Sequence, residues 1–373
     1  MVYSANYELI YFADQKLNFL SFSDAILQNL RNPQMISIIP KPQYLQLLPG
    51  EIQLSTPIEM AGVNGLLENL DSFPPIFGSL FQLASAGSKA PLLVDLDPGL
   101  ESEIGAEGYR LNIDSNQVVL SAGKSAGLFY GLQTLRQLLP PGPGKEISLP
   151  CLSIIDQPRF EWRGFMLDEA RHFFGVQIVK QVLDWLAFFK INRFHWHLTD
   201  YQGWRVEINQ FPRLAEVGGR RDGSQRRSFS KRYAYMDPTP HQGWYTQAEI
   251  REIVSYAAAR NITIIPELDL PGHFTAALAA YPELGCTKEP MKVRAEWGIF
   301  EDVACVGNLA TREFLYAVLD ELAALFPGPY FHLGGDEVKT DHWRSCPDCQ
   351  RVKQENSLDS FSQLTSLIMN DLG

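Results

Sequence analysis

Between residues 165 and 372 the chain repeats one pattern of polarity. A short apolar run ends in ionisable residues, and a stretch with apolar positions three or four apart follows it. Phe165-Met166-Leu167 predicts a strand that stops on Asp168-Glu169-Ala170-Arg171-His172. Residues 176–190 predict a helix with Ile178, Val182, Trp185, Leu186 and Phe189 facing inward. Arg193–Leu198 predicts a second strand closing on Thr199-Asp200, and 246–260 a helix with Ile250, Ile253, Val254 and Ala257 on one side. The third strand, Ile262–Leu268, runs into Asp269-Leu270-Pro271-Gly272-His273. A helix over 312–326 leads to a fourth, Tyr330–Leu333, which ends on Gly334-Gly335-Asp336-Glu337, and 357–372 reads as helix.

Strand and helix in strict alternation signal a parallel sheet with crossover helices. Successive strands that each carry ionisable groups at their C-terminal ends describe the active face of a (β/α)8 TIM barrel. A doubly wound sheet is the rival, but it favours a glycine-rich phosphate loop after its first strand, and Asp168-Glu169-Ala170-Arg171 is not one. A complete barrel takes roughly 250 residues. Residues 151–373 hold long loops such as 201–245 and show only four strand–helix units, so the other four are expected from outside this chain.

The pattern upstream is different. Ile52–Leu54, Leu92–Leu96, Tyr109–Ile113 and Val118–Leu120 predict short strands, the last two joined as a hairpin by Asp114-Ser115-Asn116. Ser125 is the expected cap of a helix with Leu128, Leu132, Leu135 and Leu139 on one face, stopped by Pro140-Pro141-Gly142-Pro143-Gly144. Residues 36–150 therefore read as a small α/β domain, and residues 151–373 as the part-barrel. Residues 1–35 read as a leader of unclear structure, with a possible strand at Tyr7–Phe12 and helix at Phe22–Leu30.

Composition adds exclusions. The chain of 373 residues is 45% hydrophobic and 20% charged, too apolar for disorder. Its net charge of -11, with no long Lys/Arg run, argues against nucleic acid or an anionic membrane as partner. The one basic cluster, Arg220, Arg221, Arg226, Arg227, Lys231 and Arg232, reads as a solvated loop. No apolar run is long enough to predict a spanning helix. The first residues lack a basic stretch followed by an apolar one, so no export signal is evident and the compartment stays open. Among five cysteines, Cys346-Pro-Asp-Cys349 has a metal-ligand spacing but no second such pair. Cys286 and Cys305 read either as a bridge or as free buried thiols.

Asp336 and Glu337 are the sharpest chemical signal. Adjacent carboxylates repel, which favours one of the two keeping a proton to donate. Ordinary glycosidases hold two carboxyls on opposite sides of the scissile bond, roughly 5 Å or more apart. Sequence neighbours lie on the same side, so this pair suits a nucleophile that belongs to the substrate. His273 shares the strand-end layer with Asp200 and Glu337, and an Asp–His–Glu chain would hold the donor's proton in place. Arg163 reads either as a clamp on hydroxyls or as one half of a salt bridge. Trp196, Tyr201, Trp204, Trp244, Tyr245, Trp297 and Trp343 read either as core or as surfaces on which sugar rings stack.

Four motifs, in order, carry a resemblance. They are Arg163–Asp168 with Arg171-His172-Phe173, His195–Arg205, Pro266–His273 and His332–Glu337. Together they resemble glycoside hydrolase family 20, the β-N-acetylhexosaminidases. Residues 36–150, with Gly127–Leu135, resemble the α/β domain that precedes the barrel there. The resemblance implies retaining hydrolysis of terminal non-reducing β-linked GlcNAc or GalNAc, assisted by the substrate's 2-acetamido group. It implies Glu337 as acid and base, Asp336 as the group orienting the acetamido, Asp200 and His273 as supporting relay, and Arg163 as a substrate contact. It implies no metal and no organic cofactor, and as partner an N-acetylhexosamine-bearing glycan or chitooligosaccharide. The family is often exported. Tyr201 stands where it commonly has a second aspartate. The alternative expectation is a non-catalytic part-barrel that binds sugar weakly or not at all.

Overall fold

Apolar and polar residues alternate through the upstream strands, and the structure uses that alternation to bury one sheet face under a helix. The computed structural model describes residues 36–62, 80–84, 89–140, 144–227 and 234–372. The expected strand at Tyr7–Phe12, the expected helix at Phe22–Leu30, Lys231, Arg232 and residues 141–143 lie outside the described residues. The strands β1 (Tyr44–Ser55), β2 (Ile58–Gly62), β3 (Phe81–Leu83), β4 (Leu92–Leu96), β5 (Tyr109–Ile113), β6 (Val118–Ala122) and β7 (Glu146–Asp156) form a seven-stranded sheet in the order β1-β7-β5-β6-β4-β2-β3. β5 and β6 pair antiparallel, as the turn at 114–116 predicts.

Helix α1 (Ser125–Leu138) covers this sheet with Leu128, Leu132 and Leu135 fully buried. Its approach is close enough that a Cβ on Gly131 would meet a Leu120 methyl at 2.2 Å. Ser125 is not the cap: Lys124 holds that place in extended backbone with no side-chain bond, and Ser125 is already helical. The sheet also runs past Pro150. Residues 146–150 pair with β1 only, beside a register shift between Leu47 and Glu51, so a proline interrupts no second ladder there.

Downstream, β8 (Gly164–Asp168), β9 (Arg193–His197) and β10 (Thr263–Glu267) make a parallel sheet in the order β10-β9-β8. The crossovers are helices α2 (Val176–Phe188) and α3 (Gln247–Ala258), the latter started by a Thr246–Glu249 capping box. α4 (Leu309–Ala323), α5 (Pro347–Glu355) and α6 (Gln363–Leu372) follow. The expected fourth strand runs parallel to β10 but is pinned by a single bridge, Glu267 to His332. Its backbone bonds all go to the β10 side, as in His332 N to Pro266 O and Leu268 N to His332 O, both 3.0 Å. Among the described residues no strand flanks its other edge, so the sheet is an open arc.

α2 presents a different face from the one its spacing suggests. Val179, Val182, Leu183, Leu186 and Ala187 are buried, while Ile178, Trp185 and Phe189 are 37%, 48% and 40% exposed. Its apolar stripe is thus wider than the face that the core covers. Among the described residues no helix is long and apolar enough to cross a membrane.

The two sheets meet across buried polar contacts. Lys190, left-handed after α2 (φ 60°), sends its Nζ to Asp156 Oδ2 at 3.0 Å and to the Tyr109 hydroxyl at 2.9 Å. Burial pulls its ammonium pKa down, opposed by Asp156. Removing one partner of a buried ion pair costs about 3–5 kcal/mol, because the other charge stays buried alone. Asp156→Ala should therefore destabilise the protein by about that amount in urea unfolding, and adding Lys190→Met should recover most of the loss. Equal losses in the single and double variants would show that the pair does not bind the sheets together.

Candidate active site at the strand ends

The sequence Arg193-Phe-His-Trp-His alternates, and a strand sends alternate residues to opposite faces. Phe194 and Trp196 are wholly buried on the helix side, while His195 and His197 take the other face. In register beside them stand Met166 and Asp168 of β8, and Ile265 and Glu267 of β10. The face away from the helices is thus polar towards its C-terminal end.

Glu267 gathers three imidazoles. Its Oε2 lies 2.6 Å from both His195 Nε2 and His197 Nδ1, and its Oε1 lies 3.0 Å from His332 Nδ1. Burial alone would raise the Glu267 pKa, but these imidazoles hold it well below the usual carboxylate range. His197 passes the link on, with Nε2 3.0 Å from Asp200 Oδ2. Burial opposes its charge, but bonds to Asp200 and Glu267 push its pKa up to about 10.

Asp200 has no exposed surface. Its Oδ1 lies 3.1 Å from His273 Nδ1, and its Oδ2 lies 2.5 Å from the Arg171 guanidinium. Burial alone would raise the Asp200 carboxyl, but His197, His273 and Arg171 together hold it at about 2. It is therefore an anion at any ordinary pH. His273 is held above its ordinary pKa by Asp200, against the effect of burial. The Tyr201 ring packs on the His273 ring, centroids 4.5 Å apart.

The far side of His273 faces the acidic pair. Its buried Nε2 has no hydrogen-bond partner, and lies 3.5 Å from Glu337 Oε2 and 3.8 Å from Asp336 Oδ2. The Asp336 and Glu337 side chains are 67% and 44% exposed, open to an incoming molecule. Gly334 bends the chain at φ 68°, and a Cβ there would fall 1.8 Å from Asp269 Oδ1. That carboxylate accepts from Gly335 N at 3.3 Å. Glu337 itself is left-handed at φ 51°, an uncommon state for a residue with a side chain and one that clusters at functional sites.

The structure thus brings Asp200, His273, Asp336 and Glu337 together and leaves Arg163 out. Arg163 precedes β8, so it sits at the opposite end of the sheet. Its donors go to Lys190 O and Phe160 O, each at 2.7 Å, and to Glu107 Oε2 at 2.9 Å. The salt-bridge alternative describes it, not the hydroxyl clamp. The guanidinium on the acidic face is Arg171, eight positions on, braced by Asp168 and half-exposed. Its position just past the end of the first strand was the available signal. Glu267, His197 and Asp269 were also missed as site members, and the alternation along β9 was the clue.

Three other expectations change. Trp196, Tyr201, Trp204, Tyr245 and Trp343 are buried at 1% exposure or less, so core packing accounts for them, and Trp297 is exposed. Arg221 is no solvated residue: it is buried and donates to the carbonyls of Gln202 at 3.0 Å and Arg171 at 2.9 Å, steadying the Arg171 backbone. The isolated Cys346–Cys349 pair has company after all, because Cys286 and Cys305 converge on it.

Comparison with known proteins fits this geometry. Residues 160–373 match the model of the glycosyl hydrolase family 20 catalytic domain. The chain belongs to glycosyl hydrolase family 20. Residues 35–157 match domain 2 of the same family. A β-hexosaminidase of Porphyromonas gingivalis is 46% identical over 266 residues, 70% of this chain and 33% of that protein. One from Akkermansia muciniphila is 41% identical, over 69% of this chain and 49% of its own length. The chain therefore spans a third to a half of these two family 20 relatives. Among solved structures, an exo-β-N-acetylglucosaminidase of Vibrio harveyi in complex with N-acetylglucosamine superposes with a TM-score of 0.73 at 31% identity, covering 90% of this chain and 53% of that one. A Bacteroides fragilis β-N-acetylhexosaminidase gives a TM-score of 0.72 at 33% identity, covering 89% and 62%.

Asp269 gives this family 20 site a pH signature. Burial, with the charges of Asp336 and Asp200, raises its pKa to about 7, against the pull of His273. A carboxyl that binds its proton more tightly when folded stabilises the fold below its unfolded pKa and loses that contribution as pH rises. The window runs from about pH 4 to about pH 7. Across it, thermal unfolding should show the wild type losing stability relative to Asp269→Asn, which keeps an acceptor for Gly335 N. A gap that does not change with pH would refute the assignment.

Proposed function

We propose that the protein is an exo-acting β-N-acetylhexosaminidase that removes terminal non-reducing GlcNAc or GalNAc from glycans or chitooligosaccharides with retention of configuration. One observation carries this: Asp336 and Glu337 stand side by side at one strand end, both facing His273 Nε2. Carboxyls so close cannot flank a glycosidic bond as acid and nucleophile. Glu337 gives its proton to the leaving oxygen as the bond to the anomeric carbon breaks. The substrate's acetamido oxygen bonds to that carbon in the same step, and Asp336 orients and polarises the acetamido N–H. The product is a cyclic oxazolinium. Glu337, now a carboxylate, takes a proton from water as the water oxygen attacks the same carbon and the ring opens.

The buried chain from Glu267 through His197, Asp200 and His273 fixes the donor's neighbour and favours the charged form of the imidazole that faces the pair. Arg171 takes the hydroxyl-binding role first given to Arg163. The parallel arc is read as the first units of a (β/α)8 barrel, preceded by the seven-stranded domain. The seam between them lies after Asp156 rather than at residue 150. The complexed Vibrio harveyi relative supports the substrate class. A second reading, a sugar-binding part-barrel without turnover, is favoured by the exposure of Asp336 and by the open edge at His332.

The test uses the product of the complete reading frame and the p-nitrophenyl β-glycoside of GlcNAc. Glu337→Gln should lower kcat by about 10²–10⁴-fold, the usual worth of a positioned acid. Arg171→Met should raise KM, whereas Arg163→Met should lower thermal stability and leave KM alone. No turnover by a well-folded wild type, with weak calorimetric binding of a GlcNAc-thiazoline mimic, would support the second reading instead.

A further inference from the structure

Four of the five cysteines meet at one point. Cys286 Sγ lies 3.8 Å from Cys349 Sγ, and Cys305 Sγ lies 3.6 Å from Cys346 Sγ and 3.7 Å from Cys349 Sγ. All four sulfurs lie within 4.8 Å of one another. They are too far apart for disulfides, whose sulfurs are about 2.05 Å apart, and all five thiols are free. A tetrahedron of thiolates around zinc, with Zn–S near 2.3 Å, has sulfur–sulfur edges of about 3.8 Å. The three close distances sit on that edge length.

Local structure aims the thiols. Gly285 and Ala304 form an antiparallel bridge, and Cys305 N donates to Leu284 O at 2.8 Å, which brings Cys286 and Cys305 side by side. Cys346 occupies the cap position of α5, with Pro347 in its first turn and Cys349 one turn in. The first turn of α5 thus carries two of the four sulfurs. Gly307 lets the two turns touch: a Cβ there would fall 2.3 Å from the Asp348 carbonyl carbon. Cys305, Cys346 and Cys349 are buried.

We infer that Cys286, Cys305, Cys346 and Cys349 form a closed tetrathiolate site for a zinc ion. The four thiols give up four protons as one Zn²⁺ binds, leaving a complex of charge −2. With four protein ligands no position is left for water, so the ion is structural, not a Lewis acid for the hydrolysis. Its place in the fold gives it a task. Cys286 and Cys305 lie on the segment that follows His273, and Cys346 and Cys349 on the segment that follows Glu337. The ion would staple the two stretches of chain that carry the proton relay and the acidic pair. Trp343 Nε1, bonded to Ala304 O at 2.9 Å, reinforces the same junction.

The test is elemental analysis of protein purified under reducing conditions without chelator. One zinc per chain is expected, retained in Cys151→Ser and lost in Cys346→Ser/Cys349→Ser. Replacement by cobalt should give the intense visible bands of a tetrahedral thiolate complex. A strong zinc chelator should lower the wild-type Tm, which covers the case of a double variant that does not fold. Iron or no metal in the wild type, zinc retained in the double variant, or Cys286–Cys305 and Cys346–Cys349 disulfides in a non-reducing digest would each overturn the assignment.

Discussion

Asp200 is the anion on which the downstream half turns. It has no contact with solvent, yet burial does not neutralise it, because two imidazoles and a guanidinium converge on its two oxygens. An unpaired carboxylate in that place would cost several kcal/mol. Its partners come from three different segments: His197 from β9, Arg171 from the loop after β8, and His273 from the loop after β10. Satisfying one carboxylate thus fixes a strand end and two loops relative to one another. His273 is the member that transmits this order to the rim, since its second nitrogen is the one turned towards Asp336 and Glu337.

The two faces of the parallel sheet serve opposite purposes. Phe194, Trp196 and Ile264 bury apolar area against the helices and hold the arc together. His195, His197 and Glu267 form a hydrogen-bonded polar layer on the other face, where apolar packing is scarce. Cohesion and chemistry are thereby assigned to alternate residues of the same strand. The upstream sheet is joined to this arrangement through Lys190, Asp156 and Tyr109, buried polar groups set beside an apolar core that runs through both sheets.

Much of this was legible in the sequence, and for physical reasons. Strand ends that stop on Asp168, Asp200, Asp269 and Asp336 announce a shared rim, because parallel strands place their C-terminal ends together. The adjacency of Asp336 and Glu337 already spoke against two carboxyls on opposite sides of a bond. What failed were choices between equals. Arg163 and Arg171 flank the same strand, and only the direction of the chain tells which one shares the rim with Asp200. Ile178 and Val179 both fit a helical period, and only the tertiary packing tells which is buried. Cys286 and Cys305 are remote in sequence from Cys346 and Cys349, so no local spacing could show that the four meet.

The bend at Gly334 has a consequence beyond catalysis. The missing methyl group there leaves room for the Asp269 carboxylate to touch the backbone that carries the acidic pair. A map of tolerated substitutions would therefore mark position 334 as strictly as position 337, although glycine contributes no functional group. Intolerance at this rim measures free volume as much as reactivity, and a residue can be indispensable for the space it does not fill.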